Sequence, residues 1–195
     1  TLVLTLFALW GCSDQHGSAL RVVVIDGDER INLDAASPGL ASRYVLAASA
    51  QGLVRFDAAG QVVPGLAETW IVTDDGRSFI FRLRNTQWDN GDAVTAEQVV
   101  RALRERLAVL RNRREAADFT VIRDIRAMTG RVLEIRLLAP KPDLLTLLAQ
   151  AEFSIRRNGS GTGPLLLRRG EPWLQLSHRV DESAPDGPND IVRPV

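Results

Sequence analysis

Cysteine and histidine are nearly absent from this chain of 195 residues, which holds one Cys and two His. A single thiol excludes an internal disulfide framework, and two imidazoles leave little material for a zinc centre. Net charge is lacking too, because 24 Lys and Arg are balanced by 24 Asp and Glu. A neutral chain whose basic residues do not alternate with aromatics carries no electrostatic footprint for nucleic acid. The apolar run at residues 1–10 (TLVLTLFALW) is uncharged but too short to span a bilayer, which takes about 20 residues. No internal repeat is present.

Catalytic signatures are missing as well. The glycine-rich run Asn158-Gly159-Ser160-Gly161-Thr162-Gly163-Pro164 is no phosphate loop, because no Gly-Lys-Ser/Thr follows it. It is no dinucleotide fingerprint, because Pro164 stands where the last glycine belongs. Ser160 lacks the flanking glycines of a nucleophile elbow. Neither His16 nor His178 has an evident serine and carboxylate arrangement. Glu97, Glu105 and Glu115 read as solvated helix charges. No enzyme activity, cofactor or metal is expected.

What remains is a chain that is 45% hydrophobic, long enough for one domain or slightly more with an ordinary core. Residues 21–25 (RVVVI) suit a buried strand, and residues 32–39 a loop. The Ala-rich residues 40–51 favour a helix that Gly52 ends. Residues 53–56 read as a strand, Ala58-Ala59-Gly60 as its turn, and Val62-Val63 as the return before Pro64 breaks the pairing. In residues 78–84, Phe79, Phe81 and Leu83 alternate with Arg82 and Arg84, the pattern of a half-buried antiparallel strand. Asp74-Asp75-Gly76 supplies the turn before it.

Thr95 and Gln98 form a capping box at the start of a helix near Ala96. Val99, Val100, Leu103, Leu107 and Leu110 then share one helical face. Arg111, Arg113 and Arg114 suit the negative end of that helix, as a solvated cluster rather than an anion patch. Residues 121–128 and 132–138 read as two strands joined at Thr129-Gly130, with Leu133, Ile135 and Leu137 alternating with Glu134 and Arg136. Asp143 can cap a short helix running through Gln150. Trp70, Trp88 and Trp173 are candidates for a cleft, although Trp88 reads better as core beside the Asp89-Asn90-Gly91 turn. Residues 181–189 read as a loop.

Four stretches occur here in one order: Gly52-Leu53-Val54-Arg55-Phe56-Asp57, then Val63-Pro64-Gly65-Leu66-Ala67-Glu68-Thr69-Trp70, then Trp88-Asp89-Asn90-Gly91, then Thr95-Ala96-Glu97-Gln98-Val99-Val100. Together they resemble the extracellular solute-binding proteins of family 5, which serve peptide and nickel ABC importers. Gly161-Thr162-Gly163-Pro164 is similar to a turn of that family, with Leu165 where an aromatic is usual; a plain surface turn is the alternative. The resemblance implies an α/β fold, a mixed sheet with flanking helices. It would form the first lobe of a two-lobed periplasmic binding protein, here incomplete, over residues 21–195.

The implied function is the substrate-binding component of an ABC importer, delivering peptide or another small solute to permease subunits by lobe closure. The alternatives are a solute-sensing module of a regulator built on the same lobe, or a degenerate remnant that binds nothing. The resemblance points to Asn32, Asp34 and Tyr44 as ligand-binding residues, since the loop after the first strand faces the cleft in that fold. Turn hydrogen bonds are the competing role for Asn32 and Asp34.

Residues 1–12, closing on Gly11-Cys12, resemble the tail of a bacterial lipoprotein signal peptide, with Cys12 lipidated and residues 13–20 as a tether. Trp10 stands where a small residue is usual, and a buried strand with a core cysteine is the alternative. No initiator Met or basic stretch precedes the run, so the signal reads as clipped. The expected place is the periplasm or cell envelope, lipid-anchored to membrane.

Overall fold

The structure, a computed structural model, describes residues 31–111, 117–169, 174–178 and 189–192. Cys12, the strand expected at 21–25, Arg113, Arg114, Trp173 and nearly all of the loop expected at 181–189 lie outside the described residues. The order is α1 (Leu40–Ser49), β1 (Val54–Phe56), β2 (Val62–Pro64), β3 (Ala67–Thr73), β4 (Ser78–Leu83), α2 (Ala96–Arg111) and α3 (Ala117–Thr120). It continues β5 (Ile122–Thr129), β6 (Val132–Leu137), α4 (Leu144–Leu148), β7 (Leu165–Arg169), β8 (Leu174–His178) and β9 (Asn189–Val192).

Three antiparallel sheets result: the hairpin β1-β2, a four-stranded sheet in the order β3-β4-β6-β5, and a three-stranded sheet in the order β7-β8-β9. The alternation in β4 and β6 does what its period dictates. Phe79, Phe81, Leu83, Leu133, Ile135 and Leu137 are all buried on one face of the larger sheet. They share one core with Val99, Val100, Leu103, Leu107 and Leu110, the apolar stripe of α2. A second, smaller cluster joins Val45 and Leu46 of α1 to Leu33 and Leu176, with Leu165, Leu167 and Leu174 packed against it.

The start of α2 is closed by its own side chains. The Thr95 N–H donates to Gln98 Oε1 at 3.1 Å, and the Gln98 N–H donates to Thr95 Oγ1 at 3.4 Å. Gln98 Oε1 also accepts from the Trp88 indole N–H at 2.8 Å, so the buried Trp88 is core with its polar edge satisfied. In the β3-β4 turn, Asp74 and Asp75 as well as Gly76 take positive φ, a conformation aspartate adopts more readily than most residues.

Three local expectations need correction. The first helix stops at Ser49, before Gly52, because Ala50 already leaves the helical conformation. Pro64 stays in the ladder opposite Val54. Asp57 N–H bonds Gln61 O, and the alternation makes Arg55 and Val63 the next bonded pair. Pro64 therefore occupies a position that needs no donor. Asp143 makes no side-chain cap and the helix spans only Leu144–Leu148; the Asp143 carboxylate pairs instead with Lys141 at 3.2 Å, which also pairs with Asp118 at 3.0 Å. Arg111 is exposed, as expected of that helix end, and its Nη2 also donates to the Ile122 carbonyl at 2.7 Å, tying α2 to β5.

Glu134 reads in sequence as a solvent-face residue, yet only 3% of it is exposed. Its carboxylate accepts from Ser78 Oγ at 2.7 Å, Arg126 Nε at 2.6 Å and Arg136 Nε at 2.9 Å. Burial by itself would raise its pKa; the hydrogen bonds from Arg136, Ser78 and Arg126 outweigh it and lower the carboxyl to about 2. A depressed pKa contributes stability that is present above the unfolded value near 4.5 and lost as pH falls toward 2. Acid titration followed by denaturant unfolding should show wild type losing up to about 3 kcal/mol more than Glu134→Gln across that window. Parallel curves would mean that the three donors do not hold the carboxylate.

Candidate functional site

The residues that α1 does not bury form a second stripe. Leu40, Arg43, Tyr44 and Ala47 recur at helical spacing opposite Ser42, Val45, Leu46 and Ser49, which are buried. Beside that stripe runs β1, and beyond it the segment from Ala149 to Ser154. Between them lies an open groove of about 640 Å³. Leu40, Tyr44 and Phe56 expose 47%, 57% and 38% of their surface around it. Three large apolar side chains exposed around one concavity is the arrangement of a surface that something else covers.

The walls are held by specific bonds. Ile155 N–H donates to Gln51 O at 2.9 Å, joining the floor to the far wall. Arg43 of α1 reaches Glu152 Oε1 on the far wall at 2.9 Å, while its Nε donates to the Pro38 carbonyl at 3.1 Å. The Gly161-Thr162-Gly163-Pro164 segment closes one end. It is more than a surface turn, since Gly161, Thr162 and Gly163 are buried. A Cβ on Gly161 would lie 2.0 Å from the Ser49 carbonyl oxygen, and one on Gly163 2.4 Å from the Ser49 carbonyl carbon. Only glycine admits this approach. It allows the Gly163 N–H to cap Ser49 O at 3.1 Å and sets Pro164 at the groove.

In β1, Arg55 is the residue bonded to β2, so the N–H and C=O of Phe56 point away from that partner, along an edge that pairs with no other strand among the described residues. An exposed edge of this kind can accept an added extended segment. The groove thus offers apolar surface, neutral polar groups at Gln51, Gln150 and Ser154, and one main-chain edge. No group of three or more His, Cys, Asp or Glu able to hold a metal occurs among the described residues. No helix among them is long and apolar enough to cross a membrane.

The three residues expected to bind ligand do not converge. Tyr44 lines the groove. Asn32 is engaged in its own turn, its Oδ1 accepting from the Asp34 N–H at 3.1 Å. Asp34 pairs with Arg156 and lines a separate, smaller cavity of about 160 Å³. That cavity is crossed by Arg106, which donates to the carbonyls of Asp34 at 3.2 Å and Ala35 at 2.8 Å. Arg106 staples its walls together. The residues missed in the sequence are Leu40, Arg43, Arg55, Phe56 and Gln150. The signal for the first two was the α1 stripe at i, i+3 and i+4, hidden by the alanines that read only as helix propensity.

Comparison with known proteins identifies the family. The description "Bacterial extracellular solute-binding proteins, family 5 Middle" matches residues 61–177. The chain belongs to this family. Among curated relatives, it is 28% identical over 193 aligned residues to the nickel-binding periplasmic protein of Escherichia coli (strain K12), covering 88% of this chain and 36% of the relative. It is 36% identical over 86 residues to the periplasmic oligopeptide-binding protein OppA of Haemophilus influenzae, covering 43% of this chain and 16% of the relative. Of solved structures, the binding protein AgaA of A. tumefaciens R10 in complex with agropinic acid superposes with a TM-score of 0.71 at 23% identity. That match covers 84% of this chain and 38% of the other. At that identity the likeness concerns the fold, and the mixed α/β architecture of the family 5 proteins is the one found here. The chain spans about a third of the length of the nickel-binding relative.

Proposed function

We propose that this chain forms one wall of the substrate-binding component of an ABC importer, that the solute is a peptide or similar small molecule, and that the groove beside α1 and β1 is where it lies. The observation that carries this reading is the edge of β1 at Phe56, unpaired among the described residues and set in a groove of about 640 Å³ among exposed apolar side chains. Main-chain bonding to such an edge is indifferent to the solute's side chains, which suits a family whose named members include nickel- and oligopeptide-binding proteins. The relatives' greater length leaves room for a second wall, and closure of the two over solute would create the surface that docks on permease subunits. The energy for transport comes from a separate ATPase, so the chain acts as a receptor and not as an enzyme. Asn32 and Asp34 serve this wall indirectly, by fixing the loop that leads into α1, and Tyr44 directly.

One open wall should hold solute weakly, since affinity is the surplus of contacts over ordering and desolvation costs. Calorimetric titration of residues 13–195 with a mixed di- to pentapeptide pool should show no sub-micromolar binding. A monomer that binds at that strength would be a complete receptor, and the one-wall reading would fall.

The proposal extends to location: residues 1–12 as signal peptide remnant and lipidation site, 13–20 as tether, 21–195 as the solute-binding lobe, held at the periplasmic face of the envelope through Cys12. The relatives' periplasmic names support the compartment. Behind a signal peptide in a Gram-negative host, the chain should incorporate labelled lipid and Cys12→Ala should not. Equal labelling would remove the anchor from the account.

A further inference from the structure

The charges around the groove are one-sided. Among its lining residues are two arginines, Arg43 and Arg55, and neither an Asp nor a Glu. Arg43 is committed to Glu152 and to the Pro38 carbonyl. Arg55 has no ion pair or hydrogen-bonding side-chain partner among the described residues and is exposed in the middle of β1. The nearest acid in sequence, Asp57, is spent on its own turn, where Oδ1 accepts from the N–H groups of Ala59 at 2.9 Å and Gln61 at 2.8 Å. The negative end of α1 also points here, but Gly163 N–H caps its Ser49 carbonyl. Among the described residues, the electrostatic balance of this wall is therefore one uncompensated guanidinium, lining the same groove as Tyr44 and Phe56.

We propose that the solute taken by this groove is an acid with an aromatic or aliphatic body, its carboxylate read by Arg55 and its body laid on Tyr44 and Phe56. A guanidinium presents a planar fork that matches a carboxylate, and the adjoining apolar side chains cover the rest of the molecule. Among the described residues, the carboxylate nearest a free ammonium here is that of Glu152, which Arg43 already holds at 2.9 Å, so the groove favours an acid over an amine. This inference rests on the groove being the solute site and adds the chemical class that the site prefers.

Two-dimensional amide NMR of the 195-residue chain reads the weak binding expected of one wall. The probes are N-acetylphenylalanine, its neutral amide N-acetylphenylalaninamide, and the cation phenylalaninamide, each at millimolar concentration. Amides within residues 40–56 should shift with all three. The acid should bind roughly three-fold more tightly than the neutral probe, the discrimination an exposed ion pair supplies, and the cation should bind more weakly than either. Added salt should erase the difference. Arg55→Gln should reduce the acid to the affinity of the neutral probe while leaving the neutral probe unchanged; an overlaying spectrum of the variant shows that it is folded. Equal affinity for the three probes, or preference for the cation, overturns the carboxylate assignment but leaves the groove as the solute site. No shift within 40–56 for any probe overturns both.

Discussion

Replacing Phe81 with Ala should lower the unfolding free energy by about 3–5 kcal/mol, the cost of emptying an aromatic site in a packed interior. Phe81 is 0% exposed. It sits in β4, between Trp70 of β3 and Leu133 of β6 in the register, at the middle of the larger core beneath α2. Neighbours on both sides are strand residues whose backbone is bonded across the sheet, so the cavity has little room to collapse. Arg82, one residue along, faces solvent in a surface pair with Glu68 at 2.7 Å, and Arg82→Ala should cost no more than about 1 kcal/mol. Denaturant unfolding of the two variants measures the contrast directly. Equal losses would mean that the alternation does not set which face of β4 is buried.

Gly163→Ala should be damaging for a different reason. A Cβ at that position would lie 2.4 Å from the Ser49 carbonyl carbon, 2.6 Å from the Ala50 nitrogen and 2.7 Å from the Ala48 carbonyl oxygen. All three are backbone atoms at the end of α1 and the residue that follows it, so no flexible side chain can move aside. Either the segment from 161 to 164 lifts off α1 or the helix end distorts, and both break the cap on Ser49. Overpacking of this kind costs about 3 kcal/mol or more. Gly60→Ala is the control, because its Cβ meets nothing within 4 Å although its φ is +75°; it should cost only about 1–2 kcal/mol. Thermal unfolding of the pair would contradict the close-approach argument if Gly163→Ala proved the milder of the two.

The parts of the fold legible in the sequence were those governed by local period and capping. The alternation of Phe79, Phe81 and Leu83 defined the buried face of β4, and the box between Thr95 and Gln98 located the start of α2, because both signals involve neighbours in the chain. β3 was harder to place. In Glu68-Thr69-Trp70-Ile71-Val72 only Trp70 is partly buried, against the core, and the rest is exposed, so this edge strand shows no alternation. Glu134 was misjudged because its donors Ser78 and Arg126 come from β4 and β5, and only the sheet order reveals that they meet. The groove was obscured for the same reason. Tyr44, Phe56 and Gln150 belong to three separate elements, and nothing in their spacing shows that α1, β1 and the segment after α4 surround one space. The family pattern was visible through glycines and turns; Arg55 and Phe56 stand inside its first stretch, where they read only as strand, and Tyr44 lies outside it.

Photo-cross-linking maps the solute directly onto the surface that should hold it. A short peptide carrying a benzophenone side chain would be irradiated with the chain at millimolar concentration and the adducts located by mass spectrometry. Adducts should concentrate in residues 40–56 and 149–154, the two walls and floor of the groove, and excess N-acetylphenylalanine should suppress them. Adducts spread over the exposed edge at Ile71 and Val72, or gathered at the cavity of Asp34, Arg106 and Arg156, would contradict the assignment of the groove as the solute-binding wall.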